Sequence, residues 1–426
     1  MQKRYWLENI EEFMTIKGSR KRDIMTSEKR RRATSLTWRF LFSAALVLAF
    51  ASIAASEEHL DGSNMSQAMA NDSICNGLLK TVRDGFGEDV TLCTPINRIV
   101  SPWCTNNELL KVLGASDKIV AVDSSMTGVS TGLFPELKDL PDCGGWNEPD
   151  FETILSLRPD LYIPWLVTIA TEEDRYGITR KRLLEERLPG IPILCLDNNE
   201  YRGADYFLDE VRMLGEILDK QGEADEFIEF YENCTDPVRK GIEGLSEDVK
   251  PRVWITSLFF TGNKVTGSPY AYTGFAPIDL AGGKNIASGL GGYGKKVDLE
   301  WIVEENPEYI FIQIWAAGNK KSPYDSDYSL SVAREQVEEV LNTPQLSQVD
   351  AVKNKRVYVI QYSHFTKGPS RCIATAYLAK LLHPELFSSL DPIKMHQDYV
   401  NRFLKIDFNV TENRNNFIYP YLEDKT

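Results

Sequence analysis

Histidine is nearly missing from this chain, with four residues in 426. Three of them, His59, His383 and His396, fall in a polar stretch or in late helical segments, leaving His364 alone near a strand end. A nucleophile–histidine triad needs a well-placed imidazole, and a naked transition metal needs several imidazole or carboxylate donors converging. Neither is expected here. The seven cysteines show no zinc-ligand spacing. Charge is unevenly placed along the chain. Residues 1–40 hold eleven Lys/Arg against five Asp/Glu, a balance of +6, so with a total of −14 and an uncharged 41–55, residues 56–426 carry −20. An acidic body repels phosphate, which excludes a nucleic-acid partner.

The chain also lacks an apolar run of full membrane-spanning length. Phe40 to Ala55 is uncharged and follows a basic stretch, Arg30-Arg31-Arg32 to Arg39. It ends in the small residues Ala51-Ser52-Ile53-Ala54-Ala55. Basic flank, apolar run and small-residue site predict a secretory signal over residues 1–55, or an uncleaved anchor, and so an extracytoplasmic protein, periplasmic or at the cell surface. Met25 gives a tidier start than Met1. No cysteine follows the run until Cys75, which argues against a lipid anchor. Residues 56–90 are polar and aperiodic and read as a tether. Four Asn-X-Ser/Thr sequons, at Asn64, Asn71, Asn233 and Asn409, permit glycosylation.

From Arg98 short apolar runs alternate with helical stretches, the pattern of α/β layers. Strands are expected at Arg98–Ser101, Lys118–Val122, Leu161–Pro164, Ile191–Leu196, Arg252–Ser257, Tyr309–Ile314 and Arg356–Ile360. Thr105-Asn106-Asn107-Glu108 reads as a capping box that starts a helix closed by Gly114. Cys104 and Cys143, in loops expected at one cleft edge, form the favoured disulfide pair, other pairings staying open. Helical spacing without strand signals over 206–248 predicts a connection between an N-terminal lobe, 91–205, and a C-terminal lobe, 249–405. Residues 406–426 read as a tail.

An internal echo supports two similar lobes. Asp150-Phe151-Glu152-Thr153-Ile154-Leu155…Arg158-Pro159-Asp160-Leu161 stands 148 residues before Asp298-Leu299-Glu300-Trp301-Ile302-Val303…Asn306-Pro307-Glu308-Tyr309. Each copy opens on an Asp able to cap a short helix and continues through Pro-acidic into an apolar strand.

These stretches, with Arg98-Ile99-Val100-Ser101-Pro102, Gly144-Gly145-Trp146-Asn147, Leu280-Ala281-Gly282-Gly283 and Asn354-Lys355-Arg356-Val357-Tyr358, resemble the siderophore/cobalamin/haem class of periplasmic solute-binding proteins of ABC importers. The resemblance spans roughly Val90 to Leu404. It implies two Rossmann-like α/β lobes joined by a single long helix, with a ligand cleft between them and no catalysis. It further implies an ABC importer permease dimer as partner, met by docking glutamates at Glu152 and Glu300. The ligand it implies is an iron-siderophore or related complex, with cobalamin (a corrinoid), haem or molybdate as alternatives, and no resident cofactor or metal. Ligand contacts are expected from Trp103, Trp146 and Trp165 in the first lobe. Phe260, Tyr270, Tyr272, Tyr293, Tyr362 and His364 are expected from the second, aromatic walls suiting a planar or conjugated ligand.

Two motifs are set aside. Gly289-Leu290-Gly291-Gly292-Tyr293-Gly294 fits a phosphate-binding fingerprint literally but has no strand before it and no helix after it. Gly128-Val129-Ser130-Thr131-Gly132 fits a hydrolase nucleophile elbow, making a secreted esterase the rival reading. Leu133-Phe134-Pro135 breaks the helix such an elbow requires.

Overall fold

Three apolar runs, each too rich in β-branched and aromatic residues to alternate, form the centre of the second lobe. In the computed structural model they are strands buried along nearly their whole length, as parallel strands covered on both faces must be. The structure describes residues 75–123, 132–145, 148–165, 176–197, 204–257, 269–291, 294–314, 321–362 and 364–421. The expected export segment, 1–55, lies outside them. Among the described residues no helix is long and apolar enough to cross a membrane.

The chain runs through a hairpin, β1 (Leu78–Arg83) and β2 (Asp89–Thr94), then β3 (Ile99–Val100), α1 (Cys104–Val112) and β4 (Ile119–Ala121). Next come α2 (Phe151–Leu157), β5 (Leu161–Tyr162), α3 (Tyr176–Arg187), α4 (Ala204–Leu218) and α5 (Gln221–Ile242). The second half holds β6 (Arg252–Thr256), β7 (Tyr270–Tyr272), α6 (Ala276–Leu280), β8 (Lys284–Asn285) and β9 (Gly294–Lys296). It continues with α7 (Leu299–Glu305), β10 (Tyr309–Ile314), α8 (Ser331–Leu341), α9 (Asp350–Lys353) and β11 (Val357–Gln361). It ends with α10 (Arg371–Leu382), α11 (Pro392–Tyr399), α12 (Val410–Asn413) and β12 (Ile418–Tyr419).

The first lobe is a parallel sheet of order β4-β3-β5, widened by single bridges Val122–Asp142 and Tyr162–Ile193. The second has order β12-β11-β10-β6-β8, parallel except for β12. The connection is made of two helices that break at Asp219, whose φ is +58. The longer, α5, leads into β6 and buries Phe227, Phe230 and Tyr231 against Phe207, Tyr399 and Phe403.

The internal echo is a structural repeat. Asp150 caps α2 by accepting from the amides of Glu152 and Thr153, and Asp298 caps α7 by accepting from Trp301. Both helices stop in the left-handed conformation, at Arg158 (φ +46) and Asn306 (φ +43). Arg98, entering β3, donates its guanidinium to the Leu157 carbonyl at 2.7 and 3.0 Å. Arg252, entering β6, reaches the carbonyl one position further on in its copy, that of the C-cap Asn306, at 3.1 and 3.2 Å. Asp160 then accepts from the Arg98 amide, and Glu308 from the Arg252 amide. One clamp is built twice.

Several expectations are corrected. Residues 78–94, the end of the supposed tether and just beyond it, form the β1–β2 hairpin. Only Val90 and Leu92 are buried along its strands, with Val82 packed partly against the core, too few for the alternation to register in sequence. The disulfide is Cys75–Cys93 across that hairpin, while Cys104 and Cys143 remain thiols. Asp84 shapes the hairpin turn by accepting from Phe86 and Glu88, and buried Lys181 of α3 ties it down through Asp84 at 2.6 Å and Glu88 at 2.8 Å. The expected Ile191–Leu196 strand shrinks to the bridge at Ile193. The tail adds β12 to the second sheet, burying Phe417 and Ile418. The capping box does not form: α1 starts after Trp103 without a side-chain cap, and Thr105 to Glu108 lie buried inside it. Gly114 does end it, at φ +62.

Candidate functional site

Parallel strands bring their carboxyl ends to one edge, and in open α/β sheets ligands bind outside that edge. Trp103 follows the end of β3 and Trp165 the end of β5, its direct neighbour. Their rings stack at 4.7 Å with 29° between planes. Buried Asn106 of α1 donates to the carbonyls of Ile163 and Pro164, both at 3.2 Å, which fixes the exit of β5 against the first turn of α1. The pair is therefore held by backbone.

In the second lobe the same edge carries Ser257 after β6 and Tyr362 and His364 after β11. Tyr272 donates its hydroxyl to Ser257 at 3.0 Å. The two edges face each other. The Phe134 ring meets His364 edge-on at 5.8 Å, and the Gly132 amide donates to Asp325 at 2.6 Å. Gly368, at φ +56, sits so close to α1 that a Cβ there would fall 2.2 Å from Thr105 Cγ2.

Glu108 sits at the centre of this contact, fully buried. Tyr399 donates its hydroxyl to Glu108 Oε1 at 2.6 Å, and Oε2 lies 3.5 Å from His364 Nδ1. Neither of these last two atoms has a hydrogen-bond partner among the described residues. A buried carboxylate without support costs several kcal/mol, roughly, which makes this triad the polar fastening between α1, α11 and the β11 exit. Burial, and next the Glu108 charge, pushes the Tyr399 phenol well above its ordinary pKa.

Of the nine expected ligand residues, Trp146, Phe260 and Tyr293 lie outside the described residues. Trp103 and Trp165 are half-buried and together. Tyr270 is half-buried and T-shaped to Tyr272 at 5.0 Å, and burial pushes its phenol up to about 12. Tyr272, Tyr362 and His364 are buried, with the Lys367 ammonium 4.6 Å above the Tyr362 ring. Glu152 and Glu300 are exposed, each the second residue of its helix. A groove of about 1310 Å³ lies away from the cleft, between the hairpin, α1 and the α4–α5 turn. Three of its five lysines are matched by carboxylates, Lys80 by Glu216, Lys111 by Glu136 and Lys220 by Glu223, and Lys118 donates to the Ile96 carbonyl. Sequence reasoning missed Glu108, Tyr399 and Asp325. A glutamate beside two leucines at a helix start gives no sign that it will be buried.

A family model described as "Periplasmic binding protein" matches residues 99–362. The molybdate-binding protein MolA of Haemophilus influenzae is 23% identical over 353 residues, covering 77% of this chain and 92% of that protein. The petrobactin-binding protein YclQ of Bacillus subtilis is 22% identical over 233 residues, covering 53% of this chain and 67% of that protein. The crystal structure of the TroA-like periplasmic binding protein FepB from Veillonella parvula superposes with a TM-score of 0.61 at 20% identity, covering 77% of this chain and 97% of that one.

Proposed function

The chain belongs to the periplasmic binding protein family, and from that premise we propose that it captures a small metal-bearing ligand between its lobes and hands it to an ABC importer. It works outside the cytoplasmic membrane, exported by residues 1–55, and performs no catalysis. The observation that carries the reading is the stacked Trp103–Trp165 pair at the carboxyl edge of the first sheet, opposite the second. Two indoles fixed at such an edge offer an apolar, polarisable wall to a conjugated ligand. An iron chelate of the siderophore type fits that wall, and cobalamin and haem share the chemistry. Molybdate is a second reading, favoured by the similarity to MolA over most of both chains.

Trp146, Phe260 and Tyr293 complete the walls in this reading, and Tyr270, Tyr272, Tyr362 and His364 back them. Glu152 and Glu300 dock the protein on the permease dimer through charge-assisted contacts to cations there. The test is a titration of ferric hydroxamate and catecholate chelates, haem, cobalamin and molybdate, read by tryptophan fluorescence and native mass. One chelate or corrinoid should quench and bind. Trp103→Ala should weaken that binding by about 1–3 kcal/mol. Binding of molybdate alone, unchanged by Trp103→Ala, selects the second reading; binding of none refutes both.

A further inference from the structure

The repeated helices α2 and α7 share more than their caps. Along 151–157 and 299–305 the order of buried, half-buried and exposed positions is the same residue for residue. Ile154 and Ile302 are the buried anchors, and three positions in each helix are exposed: 152, 155 and 156 in one, 300, 303 and 304 in the other. Glu152 matches Glu300, and Leu155 (41% exposed) matches Val303 (38%). Ser156 and Glu304, the third pair, have nothing in common.

Nothing among the described residues asks for an aliphatic side chain at 155 or 303. Each helix is already held by its isoleucine, its aspartate cap and an arginine at its C-terminal end. A serine or lysine at either place would leave those contacts intact. Each exposed aliphatic stands three residues after its glutamate, so the two side chains share one helix face. Single exposed aliphatics are common on protein surfaces. Here two of the seven large hydrophobic residues exposed among the described residues occupy the same place in the two copies.

We infer that Leu155 and Val303 are the apolar halves of two equivalent docking knobs, each paired with its glutamate, and that the knobs seat in identical notches on two copies of one permease chain. This rests on the docking role proposed above for Glu152 and Glu300 and adds the notch and the composition of the partner. A homodimer presents the same patch twice, by symmetry. A single-chain binding protein meets it economically only by repeating its own surface, and α2 and α7 are such a repeat. The notch is therefore a cation beside an apolar pocket, present once per permease subunit. The glutamate sets approach and orientation, and the aliphatic side chain contributes burial that slows release.

The test places a photoreactive residue, one at a time, at 152, 155, 303 and, as an exposed control on α3, at Leu183 (43% exposed), in the full chain expressed in the producing cell. Mass spectrometry identifies the cross-linked membrane chain. Positions 155 and 303 should capture the same multi-span permease chain that position 152 captures, and 183 should capture none. Alongside, Leu155→Gln with Val303→Gln should leave the melting temperature and binding of the best-bound chelate unchanged. The protein concentration giving half-maximal ligand-stimulated uptake should rise at least tenfold, and the two single variants should share that rise equally. Capture at 152 but not at 155 or 303, or uptake unchanged in the double variant, overturns the apolar knob and leaves the glutamate docking standing. Capture of two different permease chains overturns the homodimer. Absence of capture from every position, 152 included, refutes the docking role itself.

Discussion

His396 should make this protein acid-sensitive through a site remote from the cleft. The side chain is fully buried, held between the hydroxyls of Tyr324 (2.9 Å from Nε2) and Tyr377 (3.3 Å from Nδ1), under the rings of Phe365 and Phe417. Burial lowers its pKa from 6.5 to about 3, because an imidazolium there loses its hydration and gains no opposite charge in return. A group whose pKa is depressed on folding gives full stability above its unfolded pKa and loses it as pH falls. The window therefore runs from about pH 6.5 down to about 3. At roughly 1.36 kcal/mol per unit, the loss from this group alone is about 2 kcal/mol at pH 5, growing to between 4 and 5 below pH 3. Urea unfolding of the wild type and His396→Gln at pH 7 and pH 5 isolates it. His396→Gln is less stable at pH 7, having lost two hydrogen bonds, but its drop between pH 7 and 5 should be smaller than that of the wild type by about 2 kcal/mol. Equal drops would mean that the imidazole is protonated in the folded state, and the burial argument would be wrong.

Two more outcomes follow from buried contacts. Tyr399→Phe deletes the hydroxyl that supports Glu108 and should cost about 1.5–3 kcal/mol by urea unfolding; a change under about 0.5 would show that the carboxylate is supported otherwise. Replacing Cys75 and Cys93 together by Ser opens a link spanning 18 residues, and should cost about 3 kcal/mol on the chain-entropy account. Proteolysis near residue 84 should then precede global unfolding; a hairpin that stays protected would locate its stability in the Lys181 pair instead.

The periodicity and turn chemistry of the sequence were enough for the α/β class, for most parallel strands and for the duplication. Those features are local: an apolar run five residues long, an aspartate before a short helix, a proline after it. The echo between 150–161 and 298–309 was legible because each copy repeats the same local instructions. The hairpin, the β12 edge and the Cys75–Cys93 bridge were not, since each depends on a partner strand that supplies what its own few residues lack. The site divides the same way. Trp103 and Trp165 could be placed at strand ends from sequence, yet only the direct pairing of β3 with β5 decided that they stack. Glu108 carried the composition of a helix cap, and a carboxylate has no sequence period that marks burial. Its role was decided by Tyr399, 291 residues away, because a hydrogen bond across that separation exists only once the lobes have closed on each other.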